Sequence, residues 1–334
     1  MSIRKILSKV YQIIKQGGYR YINREFINIY CWFQNKTSPL ESIELVSIIM
    51  LSFNRVEDTI FSIKALFRFT RLPFELIILD NNSDEIQKQI LKNFVKNFKN
   101  IKFIESETNL GCARGRVEAV KHAKGEYFLF VDNDIVATPY YLENLIKAIN
   151  SDEKTVAVCS KVIFPDCLIQ FNGGTFEQDN EADIFELRDS SKLFWKRNTT
   201  QVSDVVPWVP GGSTLWKAKY YYKFPIDEKM QGSFEDNEVC IRIRNEGYNV
   251  RNCPKSVTIH YHMNFKDSQF RLREKKYVEG RYDSDRTKAA LKRYFEVHNR
   301  IFIFNSEEAV YGFLQDKSRD NIKKFLNQNK KKKN

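Results

Sequence analysis

Residues 127–135 read YFLFVDNDI. This segment indicates the fold class, because an apolar run that stops abruptly at two acidic residues is typical of a buried strand with a polar carboxyl end. The segment Tyr127–Val131 is short, apolar and aromatic, which predicts a buried strand. Ligands of open α/β sheets bind outside the carboxyl ends of the strands. Asp132 and Asp134 would therefore suit a divalent cation that carries a diphosphate. The simpler interpretation is a polar turn in which Asp134 caps the helix that starts near Pro139.

Size and charge limit the classes of protein that the chain can belong to. Its 334 residues, 42% hydrophobic and 14% aromatic, indicate a globular protein of one large domain or two small ones. The net charge of +12 divides into +6 over residues 1–40, −3 over 41–262 and +9 over 263–334. Basic ends around a slightly acidic centre favour an anionic membrane surface or an anionic acceptor, and argue against a nucleic-acid partner.

The six cysteines and the lack of long apolar runs favour one cellular location. The cysteines contain no CxxC pair and read as buried thiols, so a reducing cytoplasm is the simplest compartment. No uncharged apolar run approaches the roughly 20 residues that span a bilayer, and the N-terminus lacks a signal-peptide core. We expect a cytoplasmic protein, with the inner face of the cell membrane as a further option.

Composition divides the chain into three predicted parts. Residues 1–40 form a basic amphipathic helical extension, 41–265 a central domain, and 266–334 a helical C-terminal region with a Lys-rich tail at 330–333. The helical patterns over 2–15 and 22–33 fit a membrane interface. They fit equally well a helix packed on the main domain or on a second subunit of a homo-oligomer.

Strand and helix patterns alternate over residues 41–162, which predicts an α/β fold with a mainly parallel sheet flanked by helices. The predicted strands are 45–51, 74–79, 101–104, 127–131 and 155–163, and the predicted helices are 56–69, 85–98, 110–123 and 139–150. Residues 164–235 have weak periodicity and many turn signals. A helix over 236–245, a last strand over 257–261 and charged helices over 266–328 are expected to follow.

Polar residues follow each of the first four predicted strands. They are Ser52-Phe53-Asn54-Arg55, Asp80-Asn81-Asn82-Ser83-Asp84, Asn109-Leu110-Gly111 and Asp132-Asn133-Asp134. Each group alone is ordinary turn chemistry. Because the strands should be neighbours in one sheet, the four groups together indicate a nucleotide site.

Seven motifs in this order resemble the family 2 glycosyltransferases, which have the GT-A fold. They are VSIIMLSFNR (46–55), ELIILDNNSDE (75–85), NLGCARGR (109–116), YFLFVDNDI (127–135), GGSTLWKAKYYYKFPIDEKM (211–230), FEDNEVCIRIRNEGY (234–248) and VTIHYH (257–262). The run FPDCLIQFNGG (164–174) looks like the subset that includes rhamnosyltransferase-like bacterial polysaccharide enzymes. The resemblance covers about residues 44–262 and leaves both ends of the chain outside it.

The resemblance implies a set of residues that bind the nucleotide-sugar donor. They are Asn54, Arg55, Asp80, Asn82, Asn109, Arg114, Asp132, Asn133 and Gly212. By resemblance Asn54 and Arg55 flank the base, and Asp80 accepts a hydrogen bond from a pyrimidine N–H. Arg114 would offer a charged fork to the diphosphate. Gly212 would let backbone N–H groups approach the diphosphate or the acceptor.

In the resembling family the acidic turn is a DxD motif that binds the ribose and a metal ion. Asp132 would approach the ribose, and Asp134 with His260 would bind Mn2+ or Mg2+. The metal would neutralise charge on the departing diphosphate. Without the resemblance, a single histidine in a strand is more simply a core residue, and His262 is the alternative ligand.

The same resemblance implies that Glu235-Asp236 is the catalytic pair and that Asp236 is the base. Asp236 would take the proton of the acceptor hydroxyl as that oxygen attacks the anomeric carbon. Acidic residues also stabilise a helix N-terminus, which is the simpler interpretation. Glu238 stands where the family often has Asp, which leaves the acceptor contact at that position open.

We therefore expect an inverting, metal-dependent glycosyltransferase. A UDP-sugar is the favoured donor, dTDP-rhamnose is its main rival, and a glycan or lipid-linked glycan in surface polysaccharide synthesis is the expected acceptor. A non-catalytic scaffold subunit at the membrane would keep the same fold. A nicotinamide dehydrogenase is disfavoured because no GxGxxG follows the first strand.

Overall fold

The computed structural model describes residues 19–40, 44–230, 234–262, 272, 274–281, 284–305 and 319–330. The predicted helix over residues 2–15 and the last residues of the Lys-rich tail lie outside this set. No helix among the described residues is both long and apolar enough to cross a membrane.

The first part of the chain alternates helices and strands, as the hydrophobic pattern predicts. Its elements are α1 (Tyr19–Gln34), β1 (Val46–Ser52), α2 (Val56–Phe69), β2 (Phe74–Asp80), α3 (Glu85–Val95), β3 (Ile101–Glu105), α4 (Gly111–Val120) and β4 (Tyr127–Val131). From β1 onward the predicted ends differ from the observed ones by at most three residues. The prediction of βαβ units is confirmed here.

Strands β1 to β4 form a parallel block in the spatial order β4-β1-β2-β3. Ser52 at the end of β1 pairs with Asp80 at the end of β2, and Asp80 pairs with Glu105 at the end of β3. The central residues of β1, β2 and β4 are buried, as both faces of a parallel sheet require, whereas β3 at the edge is only partly buried. The register brings the carboxyl ends of the strands, and the polar residues after them, to one edge.

Most elements in the middle of the chain are short and were not predicted from the sequence; the exceptions are the helix predicted over 139–150 and the strand predicted over 155–163. Its elements are β5 (Ile135–Ala137), α5 (Tyr141–Ile149), β6 (Thr155–Ile163), β7 (Ile169–Phe171), β8 (Gly174–Gln178), β9 (Ala182–Leu187), β10 (Asp204–Val206), β11 (Ser213–Lys217) and α6 (Ala218–Lys223). Strands of three to six residues are too short to show a clear period. Among them, β11 runs antiparallel between β4 and β6 and joins the two halves of the sheet.

The last elements complete the main sheet and add a second one. They are α7 (Glu235–Asn245), β12 (Asn249–His260), α8 (Lys275–Arg281), α9 (Ser284–His298), β13 (Ile301–Asn305) and α10 (Arg319–Lys330). The main sheet has the order β10-β12-β6-β11-β4-β1-β2-β3, with β5 on β12 and β7 on β6. The predicted strand over 257–261 is too short, because β12 runs through Pro254 with an irregular register between Cys253 and Val257.

The expectation of helices alone over 266–328 is wrong at β13. This strand pairs in parallel with β9, and β8 completes a three-stranded sheet among the described residues. Phe302 stacks on Phe185 with ring centroids 4.9 Å apart. Asp183 of β9 accepts hydrogen bonds from Tyr294 and Arg300, both at 2.6 Å. The C-terminal region therefore packs on the stretch that precedes α7.

A glycine before β4 is required by a close approach of β1. The Gly125 N–H donates to the Ser47 hydroxyl at 2.8 Å, and a Cβ at this position would lie 2.5 Å from the Leu45 carbonyl oxygen. We predict that Gly125→Ala lowers the free energy of unfolding by about 3 kcal/mol, since backbone atoms of β1 must move. Gly247→Ala is the control, because its Cβ would meet nothing within 4 Å and would add only the strain of φ +78°, about 1 kcal/mol. Equal losses in denaturant titrations would contradict this assignment.

Candidate active site

The turn after β4 carries the chain from the parallel block to β12. The Ile135 N–H donates to the Asp132 carbonyl at 3.0 Å, which closes a tight turn. On one side the Asp132 N–H donates to the Gly212 carbonyl at 3.0 Å, and on the other the Tyr261 N–H donates to the Asp134 carbonyl at 2.9 Å. The two acidic residues of the motif consequently face different partners.

Asp134 and His260 meet because β5 pairs with the end of β12, where Ile135 lies opposite His260. The Asp134 Oδ2 atom lies 3.2 Å from His260 Nε2 and 2.8 Å from Arg55 Nη1. Burial alone would raise the pKa of Asp134, but His260 and Arg55 hold it well below its usual value. A second contact orients the imidazole, since His260 Nδ1 lies 2.6 Å from Gln170 Oε1.

The Arg55 guanidinium is fully buried and lies at the centre of this cluster. It also contacts Asp58 at 2.9 Å and the Tyr277 hydroxyl at 2.9 Å, while its backbone N–H donates to Glu274 at 3.2 Å. Arg55 has a left-handed φ of 53° at the position directly before α2. The structure thus brings Arg55 to Asp134, whereas the sequence placed it beside the base.

The loops after β1 and β2 hold each other through their polar side chains. The Asn54 N–H donates to the Ser83 hydroxyl at 2.8 Å, and Asn54 Oδ1 accepts from the Asp84 N–H at 2.8 Å. Asp80 Oδ1 accepts from the Ser83 N–H at 2.9 Å, whereas its buried Oδ2 has no hydrogen-bond partner in the described part of the chain. Burial raises the pKa of Asp80. Asn82 is exposed and has a left-handed φ of 67°.

The loop after β3 is tied to β2 through Asn81, which the sequence prediction did not single out. Asn81 Oδ1 accepts from the Leu110 N–H at 2.7 Å, and its Nδ2 donates to the Gly111 carbonyl at 3.2 Å. Asn109 Oδ1 accepts from the Gly111 N–H at 2.9 Å. Asn109 therefore lies at the same edge as Asp80. Arg114 is half-exposed on α4, with Glu228 3.9 Å away.

Arg116, which sequence reasoning missed, connects the acidic turn to α7. Its Nη2 donates to Asp132 Oδ1 at 3.0 Å and its Nη1 donates to Glu235 Oε1 at 3.2 Å. Arg116 lies three residues from both Ala113 and Ala119 on the buried face of α4. A charged residue on a face of small apolar residues was the available signal, because such a group needs a buried partner.

The double glycine before β11 leaves room for these charged side chains. A Cβ on Gly211 would lie 2.2 Å from Arg116 Nη1, and one on Gly212 would lie 2.2 Å from Asp132 Oδ2. The Gly211 N–H also donates to Asp236 Oδ2 at 3.1 Å. A side chain at either position would displace Arg116 or Asp132 from the contacts described above.

Glu235 and Asp236 stand at the N-terminus of α7 and differ in exposure. Glu235 is buried against Arg116, whereas Asp236 remains partly exposed. Burial raises the pKa of both carboxyl groups, the Asp236 charge raises that of Glu235 further, and Arg116 opposes both shifts. Glu238 turns inward and contacts Arg242 at 2.8 Å and His298 at 3.3 Å.

Asn133 lies between the two aspartates and points toward α2. Its Nδ2 donates to the Thr59 hydroxyl at 3.0 Å, and the side chain is buried. This contact fixes the middle of the turn, while Asp132 and Asp134 face opposite sides of it.

The donor set at Asp134 and His260 fits a divalent ion that has few protein ligands. Among the described residues no group of three or more His, Cys, Asp or Glu side chains is arranged to hold a metal. One carboxylate and one imidazole suffice where diphosphate oxygens and water complete the coordination shell. The two side chains therefore fit a metal that binds together with a nucleotide diphosphate.

Comparison with known proteins identifies a family for the central part of the chain. Residues 47–212 match the profile of Glycosyl transferase family 2. The chain contains a family 2 glycosyltransferase domain. The matched segment extends from β1 through the acidic turn to Gly212 and ends before α7.

Several relatives carry the same family name. An uncharacterized glycosyltransferase of Methanocaldococcus jannaschii is 30% identical over 200 residues, which are 59% of this chain and 64% of that protein. One of Bacillus subtilis is 27% identical over 132 residues, or 40% of this chain and 33% of that protein. Glycosyltransferase GlyG of Streptococcus pneumoniae is 22% identical over 160 residues, which are 47% of this chain and 53% of that protein. The chain thus spans 64% or less of the length of these relatives.

Two solved structures show the same fold. GalNAc-T7 with UDP, GalNAc and Mn2+ superposes with a TM-score of 0.55 at 16% identity, over 78% of this chain and 56% of that one. The mannosyltransferase PcManGT of Pyrobaculum calidifontis, in complex with GDP-Man and Mn2+, superposes with a TM-score of 0.52 at 13% identity, over 93% of this chain and 79% of that one. The predicted GT-A-type α/β fold is confirmed. Membership of the rhamnosyltransferase-like subset stays a prediction.

Two arginines on α4 allow a buried ion pair, Arg116 with Glu235, to be compared with an exposed one, Arg114 with Glu228. We predict that Arg116→Met lowers the free energy of unfolding by about 3 kcal/mol, because Glu235 would stay buried without its cation. Arg114→Met is the matched control, two residues away and half-exposed, and should cost less than about 1 kcal/mol. Denaturant titrations measure both. Equal losses would show that Arg116 does not hold Glu235 in place.

Proposed function

We propose that this chain is an inverting, metal-dependent glycosyltransferase that moves a sugar from a nucleotide diphosphate to a hydroxyl of a glycan acceptor. One observation carries the proposal. On one side of the turn 132–134, Asp134 contacts His260, and these two side chains form the cation-type site, a pair of ligands suited to a divalent metal. On the other side, Arg116 links Asp132 to Glu235 of the acidic pair on α7. A diphosphate leaving group and an acceptor hydroxyl need these two environments next to each other.

The buried oxygen of Asp80 supports a pyrimidine base in the donor. An acceptor atom without a donor is costly when buried, and a ring N–H of uracil or thymine would satisfy it. Asn82 lies in the loop that follows Asp80, Asn54 contacts that loop, and Asn109 lies at the next strand end. We therefore favour a UDP-sugar, with dTDP-rhamnose as the alternative donor.

Asp134 and His260 would hold the Mn2+ or Mg2+ ion in this proposal. When bound, the ion supplies positive charge that stabilises the departing diphosphate. Arg55 now neutralises Asp134, so its guanidinium must give up that contact or share it when the ion binds. Asp132 would face the ribose, and Arg114 is exposed enough to reach the diphosphate. Gly212 and Asn133 would keep the turn in place.

Asp236 is the better candidate for the base of the two acidic residues. Glu235 is engaged with Arg116, whereas Asp236 is partly exposed. The Gly211 N–H fixes one carboxylate oxygen of Asp236. The other oxygen, Oδ1, accepts from the Asn237 N–H at 2.8 Å, and in the ionised form its second lone pair can take the proton of the attacking hydroxyl. Glu235 would then keep Arg116 oriented toward Asp132.

The family resemblance and the basic ends of the chain support a proposal for the acceptor and the location. We propose a glycan or lipid-linked glycan acceptor in surface polysaccharide synthesis. We also propose a cytoplasmic enzyme in peripheral contact with an anionic membrane at the inner face of the cell membrane, and a homo-oligomer is compatible with this. A non-catalytic scaffold at the membrane is the alternative. The elaborate charge network around Asp132 and Glu235 favours the enzyme, since a scaffold would not require it.

Release of the nucleoside diphosphate tests the reaction directly. The purified chain is incubated with panels of UDP-, dTDP- and GDP-sugars, with and without Mn2+ and a glycolipid extract. We expect one donor class to be turned over with metal, giving a product of inverted anomeric configuration by NMR. No turnover of any donor under all conditions would favour the scaffold.

The base assignment has its own pH signature. Asp236→Asn should lower transfer about 100-fold or more, whereas Asp204→Asn, whose carboxylate pairs with Arg188, should not. Because burial raises the pKa of Asp236, the rate should fall on acidification at a higher pH than the protonation of an ordinary aspartate would give. Undiminished transfer by Asp236→Asn would contradict the assignment.

A further inference from the structure

Helix α1 exposes an apolar ridge in addition to its buried face. Ile27 and Cys31 are completely buried, yet Phe26, Ile29 and Phe33 are 47%, 58% and 74% exposed. Residues spaced by three and four positions share one face of a helix. A surface helix of a globular protein normally presents polar residues there, so the ridge Phe26-Ile29-Phe33 requires an explanation.

The inner face of α1 is anchored to the rest of the molecule. Tyr30 packs on Phe194 with ring centroids 4.9 Å apart. The Asn35 carbonyl, just after the helix, accepts from Asn144 of α5 at 3.0 Å. The ridge therefore belongs to a fixed surface and faces away from the core.

Two partly exposed tryptophans stand on either side of the ridge. The Trp195 and Phe26 rings pack edge to face with centroids 5.5 Å apart, and Trp195 is 36% exposed. The Trp32 and Tyr140 rings have centroids 5.3 Å apart, and Trp32 is 43% exposed. Indole rings have an apolar body and a polar N–H, and they concentrate where an apolar phase meets water.

Cations from separate segments border the same surface. The Arg71 guanidinium lies 5.0 Å from the Trp32 ring, and the Arg68 side chain, 59% exposed, lies 3.7 Å from Glu25 of α1. Lys196 and Arg197 directly follow Trp195 and are exposed, as is Lys36 after the helix. An apolar ridge with a basic border is complementary to anionic lipid headgroups over acyl chains. A second copy would bring the same cations together, which disfavours self-association.

We propose that the ridge Phe26-Ile29-Phe33, with Trp32 and Trp195, inserts into the interface of an anionic bilayer. The inference gives the proposed membrane contact a defined surface, and its test does not require transfer activity. The surface also lies near the candidate site. Arg24 of α1 stacks on Phe61 at 5.1 Å, and Phe61 contacts Tyr261, the neighbour of His260, at 5.4 Å.

Vesicle sedimentation of the full chain tests the proposal. The vesicles are phosphatidylcholine with about 30% phosphatidylserine, compared with phosphatidylcholine alone. The double variant Ile29→Glu, Phe33→Glu should bind anionic vesicles about tenfold or more weakly than the unmodified chain. The matched control is Ile86→Glu, Ile90→Glu on α3, which places two charges on another exposed apolar face. The control should bind like the unmodified chain.

Three results would overturn the inference. The unmodified chain fails to bind anionic vesicles, or the ridge variant binds as well as the control. In the third, light scattering shows a dimer that only the ridge variant dissociates, which would make the ridge a subunit interface. Circular dichroism of both double variants confirms that a loss of binding is not a loss of fold. Each of these results measures membrane binding or oligomeric state, so it can be interpreted even if the chain transfers no sugar.

Discussion

The structure depends on one buried carboxylate, Asp134, and on the two side chains that neutralise it. Arg55 comes from the loop after β1, Asp134 from the turn after β4 and His260 from the end of β12. These strands are far apart in sequence, and β12 lies in the other half of the sheet. An isolated buried charge would cost several kcal/mol. The cluster is therefore stable only when β5 has paired with β12 and both halves of the sheet are in place.

A second charge cluster extends this constraint to the other side of the turn. Arg116 holds Asp132 and Glu235 together, and the two glycines before β11 give its guanidinium the space to do so. Asn133 fixes the turn between the clusters through Thr59. A turn of three residues thus positions the cation-type site and the acidic pair relative to each other. Precise placement of both environments by one rigid element is what a displacement at an anomeric carbon requires.

Local pattern was sufficient to predict the part of the fold with long elements. The alternation from β1 to β6 follows from hydrophobic runs of five residues or more, and the acidic turn was located because an apolar strand ends there. Strands β5 and β7, with three residues each, carry too little periodicity to be seen. β13 was hidden in a charged region, and its pairing with β9 joins residues more than a hundred positions apart. The contacts of Arg55 and Arg116 depend on such long-range pairing, so residue type predicted a charged site but not which arginine faces which carboxylate.

Asp134 belongs, in our proposal, to a site where a nucleotide and a metal ion bind together. Calorimetric titration of UDP into the protein, with and without Mn2+, measures this directly in the unmodified chain and in Asp134→Asn. We expect UDP to bind tightly only when Mn2+ is present, and we expect Asp134→Asn, still folded by circular dichroism, to lose the metal-dependent part of the affinity. UDP binding that is independent of Mn2+ and unchanged in Asp134→Asn would contradict it.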